Sequence, residues 1–441
     1  MTRGLTLIVA ALVALAPFAA SAQTTPAQPS GTAAGAATAP AAPATKPPAA
    51  PALTVTPYGF VQLTADLDAG VFAGDQQYPG VVALSSTPTT SRAFFMHARN
   101  SRFGVRLGLP STAFGAKLGA VFEVDFRGGF CSATGCPDSN ISSYQPLMRL
   151  RLAYGTATWA MGGYNVTLLA GQEYGLVTPL FATSAAYTGD PIFWKAGNTW
   201  HRAPQLRLSG ESTGPFGLLW QAAVLSPQDS GSGTETAFVG PGARSRRPDL
   251  EGRLAANLKG GKDGKTKVVE VGVAGHIGWE RYSTASSGTP AVVSAGPTED
   301  LRSEMVGVDV ALNFGLLGFK GEAWRGSNIE DYFTVGGGVL GNGTPGVRSV
   351  RSRGMWGQLV LQPTPMLQLV AGAGIEQPNR ADVGATALRQ NRMLSGGVIA
   401  NPSKNWRAGV EVTKTLSLYG AAGGSTEKQG VQTAITTAFV F

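Results

Sequence analysis

The sequence predicts an all-β chain, a transmembrane antiparallel β-barrel of about 16 strands with short periplasmic turns and long extracellular loops. Three observations carry that expectation. Segments of about ten residues alternate apolar with small or polar side chains from Thr54 to Phe441, the period that sends successive side chains to opposite faces of a strand. The connections between them alternate short and long. Past the first 22 residues nothing approaches 18 consecutive apolar residues, the length that a helical span needs.

The first 22 residues hold Arg3, an apolar run from Leu5 to Phe18 and then Ala20-Ser21-Ala22. They read as a secretory signal peptide cleaved on export. Residues 23–53 are almost wholly Ala, Pro, Thr, Gly and Gln, a composition that buries too little apolar surface to order itself. They read as a disordered, semi-stiff periplasmic linker, which leaves 54–441 as the barrel domain.

Within that domain the clearest strand is Ser101–Leu109. Phe103, Val105, Leu107 and Leu109 share one face, and Arg102, Gly104, Arg106 and Gly108 the other. Over Met148–Thr156, Leu150, Leu152 and Tyr154 oppose Arg149, Arg151 and Ala153, and Lys117, Glu123 and Asp125 take the polar face of the segment around Leu118–Phe126. Charge on one face keeps that face out of lipid, so the arginines are expected to point into a lumen. A soluble sandwich would have the same periodicity with its apolar face turned inward, and the connections argue against it. Short ones fall near 110–116, 160–164, 211–217, 259–265, 314–318, 363–366 and 402–405. Long polar ones fall near 68–92, 127–145, 175–200, 227–247, 281–299, 325–349, 377–390 and 419–430. This regular alternation gives an even strand count with both barrel ends on the periplasmic side.

Cys131 and Cys136 lie in a polar loop, where an oxidising periplasm favours a small disulfide and two thiols make a poor zinc site. Tyr58, Phe60, Trp159, Tyr164, Trp220, Trp279, Trp324, Trp356 and Trp406 fall near strand ends, where interfacial girdles favour amphipathic rings, with packing inside the barrel the alternative for a few of them. The last strand puts Ile435, Thr437, Phe439 and Phe441 on one face, and a terminal phenylalanine there resembles the signal read by the barrel assembly machinery.

Pro57-Tyr-Gly-Phe-Val-Gln-Leu-Thr-Ala-Asp, Asn100-Ser-Arg-Phe-Gly-Val-Arg-Leu and Leu168-Leu-Ala-Gly-Gln-Glu-Tyr together resemble the Gram-negative general porins, and most of all the DcaP-like trimeric porins, over roughly 54–441. The resemblance implies a homotrimer, uptake of small anionic solutes such as dicarboxylates, and a third extracellular loop folded into the lumen. Some members carry an N-terminal coiled coil, whereas this chain has the Ala/Pro segment.

Two sets of residues are candidates for selectivity. Arg102, Arg106, Arg149, Arg151 and Arg207 form an expected cationic wall, either open to solutes or paired with Glu123, Asp125 and Glu173. The loop Gly175–Trp200 carries Phe181, Tyr187, Asp190, Pro191, Phe193, Trp194 and Lys195, aromatic surface that is costly in water. Folded against the wall, the loop narrows the pore, with Asp190 and Lys195 as candidate constriction charges.

The formal net charge of +8 is spread along the chain without the basic run that nucleic acid needs, so the expected partners are outer-membrane lipid and lipopolysaccharide, solutes and further copies of the chain. There is no HExxH or GxSxG motif, and Gly336–Gly341 lacks a strand-to-helix context. No cofactor or metal is expected, and catalysis is not. The rival readings are a closed barrel acting as an anchor or adhesin, and an outer-membrane hydrolase.

Overall fold

Alternation that is apolar outward and polar inward reverses the ordinary burial pattern. In the computed structural model, Leu250, Leu254 and Leu258 are exposed while Glu251, Arg253 and Asn257 between them are buried. The described residues are 52–73, 77–86, 91–128, 147–227, 241–260, 266–283, 298–332, 334–335, 339–340, 348–421 and 423–441, all within the unit Ala50–Phe441. The signal-peptide residues, nearly all of the linker and the Cys131/Cys136 pair lie outside them.

The strands run β1 (Thr54–Ala69), β2 (Arg92–His97 and Arg102–Ala113), β3 (Ala116–Gly128), β4 (Leu147–Met161) and β5 (Tyr164–Tyr174). After the third long connection come β6 (Arg202–Ser212), β7 (Phe216–Leu225), β8 (Asp249–Gly260), β9 (Thr266–Ser283), β10 (Thr298–Asn313) and β11 (Leu317–Ser327). The barrel is completed by β12 (Arg351–Thr364), β13 (Leu367–Pro378), β14 (Leu388–Ser403), β15 (Trp406–Ala421) and β16 (Gly424–Val440). Each strand pairs antiparallel with its neighbours, and β1 closes on β16 from Phe60↔Val440 to Ala69↔Val431. Closure leaves no barrel edge unpaired, the condition for a sheet in hydrocarbon. The expected all-β barrel of 16 strands is the observed one.

Three expectations about local structure change. At β3/β4 the register slips between Glu123↔Leu152 and Val124↔Leu150, so Arg151 is the extra residue of a β-bulge. The slip turns Leu152 and Tyr154 to the lumen side, away from Leu150, which keeps the outer face. The connection expected at 419–430 is instead mostly strand, since β15 reaches Ala421 and β16 resumes at Gly424. Gly423 takes φ 79° there, which costs glycine nothing. Polar residues such as Glu427 and Gln429 had read as loop, but a hairpin rising beyond the lipid needs no apolar face. Third, Tyr58, Phe60, Trp324 and Trp356 do not belong to a girdle. Tyr58 donates to Glu123 at 3.0 Å and Trp356 Nε1 to Glu322 at 2.7 Å, both from inside. Trp406 keeps the outer face, 45% exposed opposite Phe439.

The chain end is built into the closure. Phe441 and Gly59 exchange two backbone hydrogen bonds at 3.1 Å, and the Phe441 ring lies 5.9 Å from that of Phe103.

Candidate functional site within the lumen

The third long connection, between β5 and β6, crosses the interior and is pinned to the wall by acidic and amide side chains. Glu322 on β11 accepts from Leu180 N at 2.7 Å and Asn198 Nδ2 at 3.0 Å. Gln358 on β12 exchanges two hydrogen bonds with the Thr183 backbone, at 2.7 and 2.8 Å. Glu411 on β15 accepts from Ser184 Oγ, Ala185 N and Ala186 N at 2.8, 2.9 and 2.7 Å. Gln62 on β1 and Asn100 both donate to Ala186 O, and Tyr187 donates to Gln432 on β16 at 2.7 Å. Buried backbone that would otherwise lack partners is thereby satisfied.

The loop's aromatic surface is buried as well. Phe193 stacks on Trp356 with ring centroids 5.9 Å apart, and Tyr187 meets Tyr78 edge-on at 5.1 Å. Tyr78 belongs to the first long connection, which also enters the barrel: Asn391 donates to Gly80 O at 2.8 Å and Val82 N to Ser417 Oγ at 2.9 Å. Two loops therefore fill the side of the lumen beneath β12–β16. A cavity of about 600 Å³ remains between the third loop and the walls formed by β2–β4 on one side and β11, β13, β14 and β15 on the other.

Several solved structures share this architecture. The outer membrane channel DcaP of Acinetobacter baumannii aligns with a TM-score of 0.64 at 16% identity, over 88% of this chain and 97% of that one. An anion-selective porin from Comamonas acidovorans aligns at 0.52 and 14%, over 88% and 100%, and Salmonella typhi OmpF at 0.50 and 10%, over 88% and 97%. The chain has the outer-membrane porin fold. No family model and no curated protein matches it.

Four cations, Arg102, Arg151, Lys320 and Arg407, and two carboxylates, Glu123 and Asp190, line the cavity of this porin fold. The carboxylates are already engaged. Arg151, only 3% exposed, donates to Glu123 at 2.7 Å, Asp125 at 2.9 Å, Gly189 O at 2.8 Å and Tyr174 OH at 2.6 Å. Arg149 holds Asp125 with two bonds of 3.0 and 2.7 Å. Asp190 lies 3.1 Å from Arg127 and 3.4 Å from Arg149. Burial works against its carboxylate, but Arg149 and Arg127 outweigh that and hold its pKa below the ordinary value.

Of the expected wall, then, Arg149 and Arg151 are locked in ion pairs. Arg102 reaches Thr188 O and stands 3.6 Å from Glu123. Arg106 is exposed to the lumen over the Tyr58 ring, at 3.7 Å. Arg207 bonds Gln205 at 2.9 Å and Tyr174 O beside a separate cavity of about 260 Å³. Lys117 shares the face of Glu123 but sits near the periplasmic turn, outside the main cavity. In the loop, Phe193 and Lys195 are packed away from the aperture, with Lys195 Nζ 5.1 Å from the Trp194 ring and 3.4 Å from Thr334 O.

Sequence reasoning missed Lys320 and Arg407, which face the loop from the opposite wall. Lys320 Nζ is 3.4 Å from Phe181 O and Thr183 Oγ1. The Arg407 guanidinium has no hydrogen-bonded partner among the described residues. A signal existed for Arg407, because Trp406, Ala408, Val410 and Val412 alternate against Arg407, Gly409, Glu411 and Thr413.

Proposed function

We propose that this chain is an outer-membrane channel for passive diffusion of small hydrophilic solutes, with a preference for anions such as dicarboxylates. One observation carries the reading: the loop-narrowed cavity is lined by more cations than carboxylates, because Lys320 and Arg407 form no ion pair among the described residues and Arg102, 3.6 Å from Glu123, shares that carboxylate with the closer Arg151, while Asp190 is engaged by Arg127. Fixed charge in a confined aqueous passage is weakly screened and favours counter-ions. Cations on facing walls also suit a solute with a carboxylate at each end, since guanidinium groups bind carboxylates through paired donors. The channel and anion-selective porin named above share the fold, which lends the reading support. In it, residues 1–22 direct export, 23–53 form the periplasmic linker, Cys131 and Cys136 close an extracellular loop, Phe441 is read during assembly, and three copies associate.

Liposome swelling tests it. Proteoliposomes should admit succinate faster than a diammonium compound of similar size. Equal rates would remove the anion preference, and no swelling by correctly folded protein would favour an anchor.

A further inference from the structure

We propose, on the channel reading above, that the first long connection takes part in selecting solutes. Its Tyr78 ring holds the buried Arg127 of β3 against Asp190 of the third loop, and Arg127, out of reach of any solute, decides the charge that the aperture presents. Tyr78 is thus a positioning residue and Arg127 a specificity-determining one. Arg127 is 2% exposed and is not among the residues that line the main cavity. A guanidinium in such a place needs partners on every side. Its Nη2 lies 3.1 Å from Asp190 Oδ2, and its Nη1 donates to Asn100 Oδ1 at 3.2 Å. Asn100 is itself tied to the third loop through Ala186 O, at 2.8 Å. The guanidinium carbon stands 4.5 Å from the centre of the Tyr78 ring, whose face attracts a desolvated cation.

Both loops are shaped for this contact. Where the Arg127 stem passes the third loop the residue is Gly189, and a Cβ there would overlap Arg127 Cδ and stand 2.8 Å from its Nε. Tyr78 is fixed in turn, edge-on to Tyr187 at 5.1 Å and to Trp194 at 5.7 Å. The backbone just beyond it is anchored to the barrel wall, since Thr415 Oγ1 donates to Pro79 O at 2.5 Å and Asn391 Nδ2 to Gly80 O at 2.8 Å. The ring therefore cannot retreat from the guanidinium without taking the first connection with it.

The consequence is electrostatic. Two carboxylates line the main cavity, Glu123 and Asp190. Arg151 holds the first at 2.7 Å. The second has Arg127 as its nearer cation, because Arg149 stands at 3.4 Å and already makes two hydrogen bonds to Asp125. Take Arg127 away, and the Asp190 charge is turned on the passage, where confinement weakens screening. The clamp also has repulsion to resist, since Arg149, Arg151 and Arg202 crowd the same carboxylate. A ring face on one side and Gly189 on the other leave the guanidinium one position, with its tip on Asp190.

Two measurements on the full chain test the proposal. In planar bilayers with a salt gradient, Arg127→Gln should shift the reversal potential toward zero, the anion-to-cation permeability ratio falling at least about twofold. Arg127→Gln/Asp190→Asn removes both charges and should return the ratio to the wild-type value, a repair that a packing defect would not show. Tyr78→Leu should shift the potential in the same direction as Arg127→Gln, and Tyr78→Phe, which keeps the ring, should not. The second measurement needs no conduction: carbodiimide-driven labelling of carboxylates in detergent, read by mass spectrometry, should modify Asp190 several-fold faster in Tyr78→Leu and Arg127→Gln than in the wild type. An unshifted potential in Arg127→Gln, a double variant no nearer the wild type than the single one, or equal labelling of Asp190 overturns the proposal. If the Arg127 variants do not fold, the contrast between Tyr78→Leu and Tyr78→Phe decides it. A wild type without anion preference overturns the channel reading and the selectivity role with it, while the labelling still decides whether Tyr78 and Arg127 hold Asp190.

Discussion

Replacing Arg151 with leucine should lower the barrel's unfolding free energy by about 3–5 kcal/mol, the cost of removing one partner from a buried ionic cluster. Arg151 is buried at the bulge and serves two carboxylates, a loop carbonyl and a tyrosine hydroxyl at once. Without it Glu123 retains the more distant Arg102 and the Tyr58 hydroxyl, and Asp125 retains Arg149. The leucine can satisfy none of these acceptors. Arg106→Gln provides the contrast, since an exposed guanidinium over a ring contributes no more than about 1 kcal/mol. Urea unfolding in detergent micelles measures both. Similar midpoints for the two variants would show that the Arg151 cluster is not a structural tie.

Glu411→Ala should release the tip of the third loop. Its carboxylate receives Ser184 Oγ and the amides of Ala185 and Ala186, and hydrogen bonds to a charged group contribute about 1.5–3 kcal/mol each. Two backbone amides would be left without their acceptor. We expect higher single-channel conductance, noisier open levels and new proteolytic cleavage within 182–188, with the barrel still folded. Wild-type conductance together with wild-type protease resistance would mean that Gln62, Asn100 and Gln358 hold the loop without Glu411.

The barrel was legible in the sequence because lipid imposes a rule on every second residue. Phe103, Leu107 and Leu109 against Arg102 and Arg106 leave one arrangement that avoids charge in hydrocarbon. The rule fails where lipid does not act. The bulge at Arg151 reversed Leu152 and Tyr154, and a polar hairpin above the membrane passed for a loop at 419–430. The site was less legible than the fold. Its first wall lies on strands adjacent in sequence, so Arg102, Arg149 and Arg151 could be grouped by reading along the chain. Lys320 and Arg407 come opposite them only through closure of the sheet and entry of the loop. Which arginines remain open to solute was equally hidden, because it depends on Asp190 and Arg127 arriving from different elements. Tyr78 shows the same limit: nothing in its local pattern marks the first loop as a second occupant of the lumen.

The reversal potential across a planar bilayer in a salt gradient tests the positively lined aperture most directly, at low ionic strength, where screening of wall charge is weakest. The wild type should give the sign of an anion-selective pore. The Arg102→Gln/Lys320→Gln/Arg407→Gln variant should conduct with a potential shifted toward zero. A wild-type potential of zero or of cation-selective sign, or a triple variant that keeps the wild-type potential, would contradict the account.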